Sequence, residues 1–374
     1  MEISEDTVAK MQSEGGECVL TDNVVLSSLL DRESYLPGLW DLSRDGEAKA
    51  YWIRTLKRNL QHMVDVYSRE ASPKDRKRCK EAQTEYLEYL AEFESNPTPD
   101  SPRTVNALVE VRQDVFEKHG IPDPYKSLKD TENTVALAAL DALDLPVPGE
   151  KPLPDGLRWA FSMIMAGNFF DMGSAEAREE HTGVSKALVG RALQITAKRW
   201  FRDDLQQLTS YLERGPRGNG TVVICIDNAG AEIVLGVTHL IRELASVGFA
   251  FTLVANESAA LNDMTATETI ELLRMAGNFE PEMASLAEAS RLEVISSGSR
   301  TSGIDMTRVS TAFNESVGRA EVLIVIGQGR AIETNWKTRL SIPWARAAVV
   351  KDKLVARAVG CEVFDPLLTF ETTD

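Results

Sequence analysis

A chain of 374 residues with 43% apolar and 26% charged side chains and a mean hydropathy of -0.20 can bury a large core, and this composition excludes disorder, collagen and a membrane bundle. The 41 basic and 57 acidic residues leave a net charge of -16, which repels a phosphate backbone and argues against nucleic acid as a partner. No apolar run approaches the roughly 18 residues that a spanning helix needs, and the acidic start MEISEDTVAK does not read as a signal peptide. A cytoplasmic protein that meets no membrane is therefore expected, with Cys18, Cys79, Cys225 and Cys361 reduced.

The first 150 residues read as helices. Trp52, Ile53, Leu56, Leu60, Met63 and Val64 form one apolar stripe within 48–70; Tyr86, Leu87, Tyr89, Leu90 and Phe93 form a second. A third helix is expected to open at Ser101-Pro102 as N-cap and first residue, and to stop at Gly120. A fourth is expected over 131–143. The basic run KDRKRCK at 74–80 reads as the solvated start of a helix.

Four prolines between Leu145 and Pro154 mark a linker, so the expected division is a helical domain over 1–150 and an α/β domain over 151–374. A helix through Trp159, Phe161, Ile164 and Met165 leads into Gly167-Asn-Phe-Phe-Asp171-Met-Gly173. From 221 onward, short β-branched runs alternate with amphipathic segments. Strands are expected over 221–226, 249–255, 292–295, 321–326, 346–350 and 362–367. Helices are expected over 231–247, after Thr265, and over 306–317 and 354–359. This alternation predicts a Rossmann-like, three-layer α/β/α fold around a mostly parallel sheet.

Ligands of such sheets bind at the carboxyl ends of the strands. There the sequence places Asp227-Asn228, Asn256 with Asn262-Asp263 beyond it, Ser297-Gly298-Ser299, Gly327-Gln-Gly-Arg330 and Lys351. Carboxylates and an amide oxygen are hard ligands suited to Mg²⁺ or Mn²⁺. Glycine loops and a lysine suit phosphate. Plainer readings stand beside these: Asp227-Asn228, Asn168 and Asp171 also read as helix caps, Ser297–Ser299 as a turn, Lys351 as a solvated amine and Arg330 as a structural ion pair. The sequence holds no GxxxxGK[ST], HExxH or GxSxG, and Ala229 stands where a haloacid-dehalogenase-like phosphatase needs its second aspartate.

GNFFDMG (167–173), IDNAGAE (226–232), LND.T (261–265), the glycine–arginine loop before ETN (333–335), DPYK.LKDTEN (123–133) and RWFRDDL (199–205) together resemble the metal-dependent damage-control phosphatases. The likeness is to their second subfamily, which includes stand-alone plant enzymes and the phosphatase domain of pantothenate-kinase-like proteins. The resemblance implies Asp227, Asn228 and Asp263 as metal ligands and catalytic centre, with Mn²⁺, Ni²⁺, Co²⁺ or Mg²⁺ as the ion. It implies Asn168, Asp171, Ser297, Gly298, Arg330 and Lys351 on the substrate side, and an acidic residue at Glu232. The implied substrate is a small phosphomonoester, 4′-phosphopantetheine or its oxidised or damaged forms, and the implied role is metabolite damage control in coenzyme A synthesis. Where the subfamily carries Glu-Gly-Met-Gly-Arg, this chain has Ile326-Gly-Gln-Gly-Arg330, which leaves the substrate open.

On this reading the ion acts as a Lewis acid while Arg330, Lys351 and the N–H groups of Ser297–Ser299 hold phosphoryl oxygens. Water is the preferred nucleophile, with covalent attack by Asp227 as a variant. Asp227→Ala is expected to abolish metal-dependent turnover and leave the fold intact, with room even for a gain in stability of the metal-free protein, where clustered carboxylates repel. The alternatives are a sugar-phosphate phosphatase of the same family and a non-catalytic sensor of a phosphorylated metabolite. The oligomeric state stays open.

Overall fold

Seven strands carry the fold in a computed structural model that describes residues 23–98, 100–142, 147–169, 189–195, 197–217, 220–277 and 281–372. They are β1 (Arg202–Asp203), β2 (Thr221–Cys225), β3 (Ala250–Ala255), β4 (Leu292–Ser296), β5 (Val322–Ile326), β6 (Trp344–Val349) and β7 (Pro366–Glu371). They form one sheet in the order β1-β7-β6-β5-β2-β3-β4. All neighbours run parallel except β6 and β7, which pair antiparallel from Trp344↔Glu371 to Val349↔Pro366. The mostly parallel α/β architecture is the expected one. The last strand departs from expectation in its bounds, running from Pro366 to Glu371 rather than from Glu362 to Leu367. β1 and the helix behind it were not anticipated; two exposed residues in β1 carry no alternation to read.

Before the sheet come α1 (Gly46–Ser68), α2 (Pro73–Ser95), α3 (Val105–Lys118), α4 (Lys126–Ala142) and α5 (Leu153–Phe169). Asp45 caps α1 and Ser72 caps α2, with Pro73 at its first position. The cap of α3 is Thr104, not Ser101: the Ser101 hydroxyl accepts from Thr98 N at 2.8 Å and closes a turn instead. Following the sheet order come α6 (Leu205–Leu212), a π-helical turn (Glu232–Val237) continuing into α7 (Thr238–Ser246), α8 (Ala266–Ala276), α9 (Pro281–Glu288), α10 (Thr311–Arg319), a second π-helical turn (Gln328–Glu333) and α11 (Lys353–Val359). The helix expected from Met306 starts at Thr311, where the Ser310 hydroxyl accepts from Phe313 N at 3.0 Å.

Strand alternation divides the core in two. Val222 and Ile224 pack with Leu157, Phe161 and Ile164 of α5 and Leu240 of α7. Val223 and Cys225, on the opposite face, pack with Leu56 and Leu60 of α1, Tyr86 of α2, Phe116 of α3 and Phe313 of α10. The apolar stripes of the N-terminal helices are therefore closed by the sheet itself. Residue 150 falls between α4, whose Leu137 and Leu140 join the first cluster, and α5.

Candidate active site

The chain runs from β2 outward through β3 and β4, then crosses back to β5 on the other flank of β2. The carboxyl ends of β2 and β5 therefore form a topological switch point, where open α/β sheets bind ligands. Asp227 and Asn228 follow β2; Gly327 follows β5. Gly327 has φ +99, and a Cβ there would lie 2.2 Å from Asp227 Oδ2, so only glycine admits the carboxylate.

The loop after β3 returns to this point. Leu261 takes a positive φ of 55. Ala229 N then donates to Asn262 O at 2.9 Å, Met264 N to Asp227 O at 3.1 Å, and Asn228 and Asp263 form an antiparallel bridge. Asp227, Asn228 and Asp263 are thus brought together, exposed by 6%, 5% and 2%. Neither Asp227 nor Asn228 caps a helix: the π-helical turn after them begins with Ala231 as N-cap and has no side-chain cap.

Glu232, fully buried, organises the turn. Its Oε1 accepts from the backbone N–H of Asp227 and of Asn228, both at 3.1 Å. Its Oε2 accepts from Asn168 Nδ2 at 2.8 Å and Asn228 Nδ2 at 3.1 Å. Burial pushes this carboxyl up to about 7, against the pull of those donors and of Lys351.

Arg330, 1% exposed, lies against both aspartates. Its Nη1 contacts Asp227 Oδ1, and its Nη2 stands 3.0 Å from Asp263 Oδ2 and donates to Asn256 Oδ1 at 2.9 Å. Burial lowers the guanidinium to about 10, still charged at neutral pH. The ion-pair reading of Arg330 is therefore the one the geometry presents. Lys351 Nζ donates to Asn168 O at 2.9 Å, which brings its charge to the same edge.

The Ser297–Ser299 turn lies beside β3 and its N–H groups are engaged within the fold: Ser297 N with Ala255 O at 2.7 Å, Gly298 N with Ser296 Oγ and Ser299 N with Ser297 Oγ, both at 3.0 Å. Asp171 lies outside the described residues, as do Cys18 and His181.

Two supports come from α4, inside the DPYK.LKDTEN stretch. Lys129, 0% exposed, pairs with Asp123 at 2.8 Å and Glu268 at 2.7 Å, and its Nζ is 3.5 Å from Asp263 O. Asn133 Oδ1 accepts from Gly230 N at 2.7 Å. Residue-level reasoning missed both: a lysine and an asparagine in the polar first half of a helix carry no chemical signal, and only the resemblance singled out their segment. Glu232 was named there without a role; its spacing of five from Asp227 is the readable sign.

Three carboxyl groups, of Asp227, Asp263 and Glu232, and three amides, of Asn168, Asn228 and Asn256, gather here within one buried patch. A carboxylate offers about four lone-pair sites, more than one guanidinium contact occupies. Among the described residues no three His, Cys, Asp or Glu side chains form a metal cluster, so a cation here would rely on the amide oxygen as well. The all-oxygen donor set fits a hard divalent ion.

The profile of the damage-control phosphatase ARMT1-like domain matches residues 53–367. A damage-control phosphatase of Arabidopsis thaliana is 30% identical over 268 residues, covering 70% of this chain and 71% of that one. A 4′-phosphopantetheine phosphatase of Mus musculus is 24% identical over 410 residues, covering 93% of this chain and 48% of that one. A pantothenate kinase 2 of Arabidopsis thaliana is 26% identical over 378 residues, covering 93% and 42%. The chain thus spans less than half the length of the last two. Among solved structures, a DUF89 family protein from Pyrococcus horikoshii superposes with a TM-score of 0.64 at 18% identity, covering 85% of this chain and 96% of that one, a likeness of fold.

Proposed function

The chain belongs to the damage-control phosphatase ARMT1-like family, and from that premise we propose that it is a metal-dependent phosphatase of small phosphomonoesters. The observation that carries this reading is the meeting of Asp227, Asn228 and Asp263 at the switch point, with two cations, Arg330 and Lys351, at the same edge. Asp227, Asn228 and Asp263 would hold the ion. Such an ion supplies Lewis acidity toward a phosphoryl oxygen.

The chain's own groups do the rest. Lys351 presents an ammonium, a donor without a lone pair, and so binds substrate phosphate rather than metal. Arg330 offsets part of the charge of the two aspartates and fixes where their oxygens point. Gly327 keeps the floor of the site open beside Asp227. The described residues offer no Ser, Cys or His held by a base at this edge, so water is the preferred nucleophile. The substrate we propose is 4′-phosphopantetheine or its oxidised or damaged forms, in line with the name of the mouse relative. The cell compartment we propose is the cytoplasm.

The test is phosphate release from p-nitrophenyl phosphate with Mn²⁺, Co²⁺, Ni²⁺ or Mg²⁺ against EDTA, followed by a panel of 4′-phosphopantetheine, its sulfonate and sugar phosphates. Metal-dependent release with preference for the pantetheine esters is the expected result. Binding of these esters without release under every metal would overturn the enzyme and leave the sensor.

A further inference from the structure

Asn168 closes α5 and is 1% exposed. Its Nδ2 donates to Asp227 Oδ2 and to Glu232 Oε2, both at 2.8 Å. An amide nitrogen has two hydrogens, so both are engaged. Among the described residues, its Oδ1 accepts from no group. The orientation follows from charge: turning the amide over would press Oδ1 against two carboxylate oxygens.

Asn228 repeats the arrangement. Its Nδ2 donates to the same two oxygens, at 3.2 Å to Asp227 Oδ2 and 3.1 Å to Glu232 Oε2. Two amides therefore bridge one pair of carboxylate oxygens, and each turns its carbonyl away from that pair. Glu232 is anchored in turn by the backbone N–H groups of Asp227 and Asn228. Close packing fixes the distance between α5 and the turn: a Cβ on Gly167 would lie 2.5 Å from Glu232 N.

A buried carbonyl without a donor needs a partner. With both hydrogens engaged, the Asn168 amide is an acceptor only. An acceptor repels phosphate oxygens and attracts a cation, so the substrate-side role expected for Asn168 conflicts with its chemistry here.

We infer that Asn168 Oδ1 is a further protein oxygen for the divalent ion, and that Glu232 is the positioning residue that turns the carbonyls of Asn168 and Asn228 toward it. The inference rests on the preceding reading, which gives that ion Asp227, Asn228 and Asp263. Two carboxylates and two neutral amides make an all-oxygen donor set of the kind that hard divalent ions take.

The test is Mn²⁺ binding to the whole chain, by calorimetry and by the electron paramagnetic resonance of the bound ion, with no turnover measured. Asn168→Ala is expected to weaken Mn²⁺ at least tenfold and to change the line shape of what still binds. Glu232→Gln replaces one acceptor oxygen with an N–H donor and is expected to weaken Mn²⁺ comparably. Because Glu232 acts through the amides, the double variant should lose much less than the product of the two single losses. Should Asn168→Ala not fold, Glu232→Gln and its spectrum carry the test. Asn168→Ala or, in its place, Glu232→Gln binding Mn²⁺ within twofold of wild type overturns the inference while leaving the phosphatase reading standing. No Mn²⁺ binding by the wild-type chain overturns both.

Discussion

Gly327 and Asp227 sit at the ends of adjacent strands and touch: the glycine has φ +99 and ψ 148, and a Cβ on it would lie 2.2 Å from Asp227 Oδ2. This backbone region belongs almost solely to glycine. Gly327→Ala is expected to destabilise the protein by about 2–4 kcal/mol through strain and the displaced carboxylate. Urea denaturation measures it, and a variant as stable as wild type would refute the contact.

Asp227→Ala reverses an expectation from sequence. Repulsion between carboxylates left room for a gain in stability of the metal-free protein. Arg330 instead lies between Asp227 and Asp263, each 6% exposed or less, and removing one acid strips a buried guanidinium of a partner. The expected cost is about 3–5 kcal/mol. Denaturation in EDTA decides: a rise in stability restores the repulsion argument.

Lys129→Met tests the support from α4. The substitution leaves Asp123 and Glu268 without their shared cation and releases the Asp263 carbonyl. A loss of about 3–5 kcal/mol is expected from the broken buried pair. Mn²⁺ affinity should fall as well, because the loop that carries Asp263 loosens. Unchanged affinity in a destabilised variant would limit Lys129 to stability.

Glu333 supplies a pH test. Burial pushes its carboxyl up to about 7, with Gln328 Nε2 donating to it at 2.6 Å and Asp352 adding repulsion. The native state holds this proton more tightly than the unfolded chain, whose value is near 4.5. Below that value the group costs nothing. As pH rises to about 7 the unfolded chain ionises first, so stability falls across that window and levels off above it. Glu333→Gln removes the slope. The variant should gain on wild type by about 2–3 kcal/mol between the two ends, as read from urea midpoints over pH 4.5–8. A constant difference would place Glu333 in solvent.

The strands and the residues at their ends were legible because buried parallel strands read as apolar runs and because each run ends in polar chemistry. Asp227, Asn228 and Asp263 were found that way. The partners of Arg330 were not, since pairing across 103 residues leaves no periodic trace. The Thr104 cap lost to Ser101 because Ser-Pro is the commoner signature, and only the turn at Thr98 tells them apart. Ile326 read as a substrate determinant. It is 1% exposed and packs in the first core cluster with Ile224 and Ile226, so its first effect is on packing.

The place of β7 bears on how the chain assembles. β7 lies between β6 and β1, and among the described residues β1 joins the sheet only through it. Synthesis reaches residue 371 after the six other described strands have been made. Until then β6 presents an open edge and β1 has nothing to pair with, while the apolar stripes of α1 to α3 wait for the sheet face that covers them. Contacts this distant in sequence close slowly and leave sticky intermediates. Closure of the sheet around β7 is thus expected to be a late and slow step of folding.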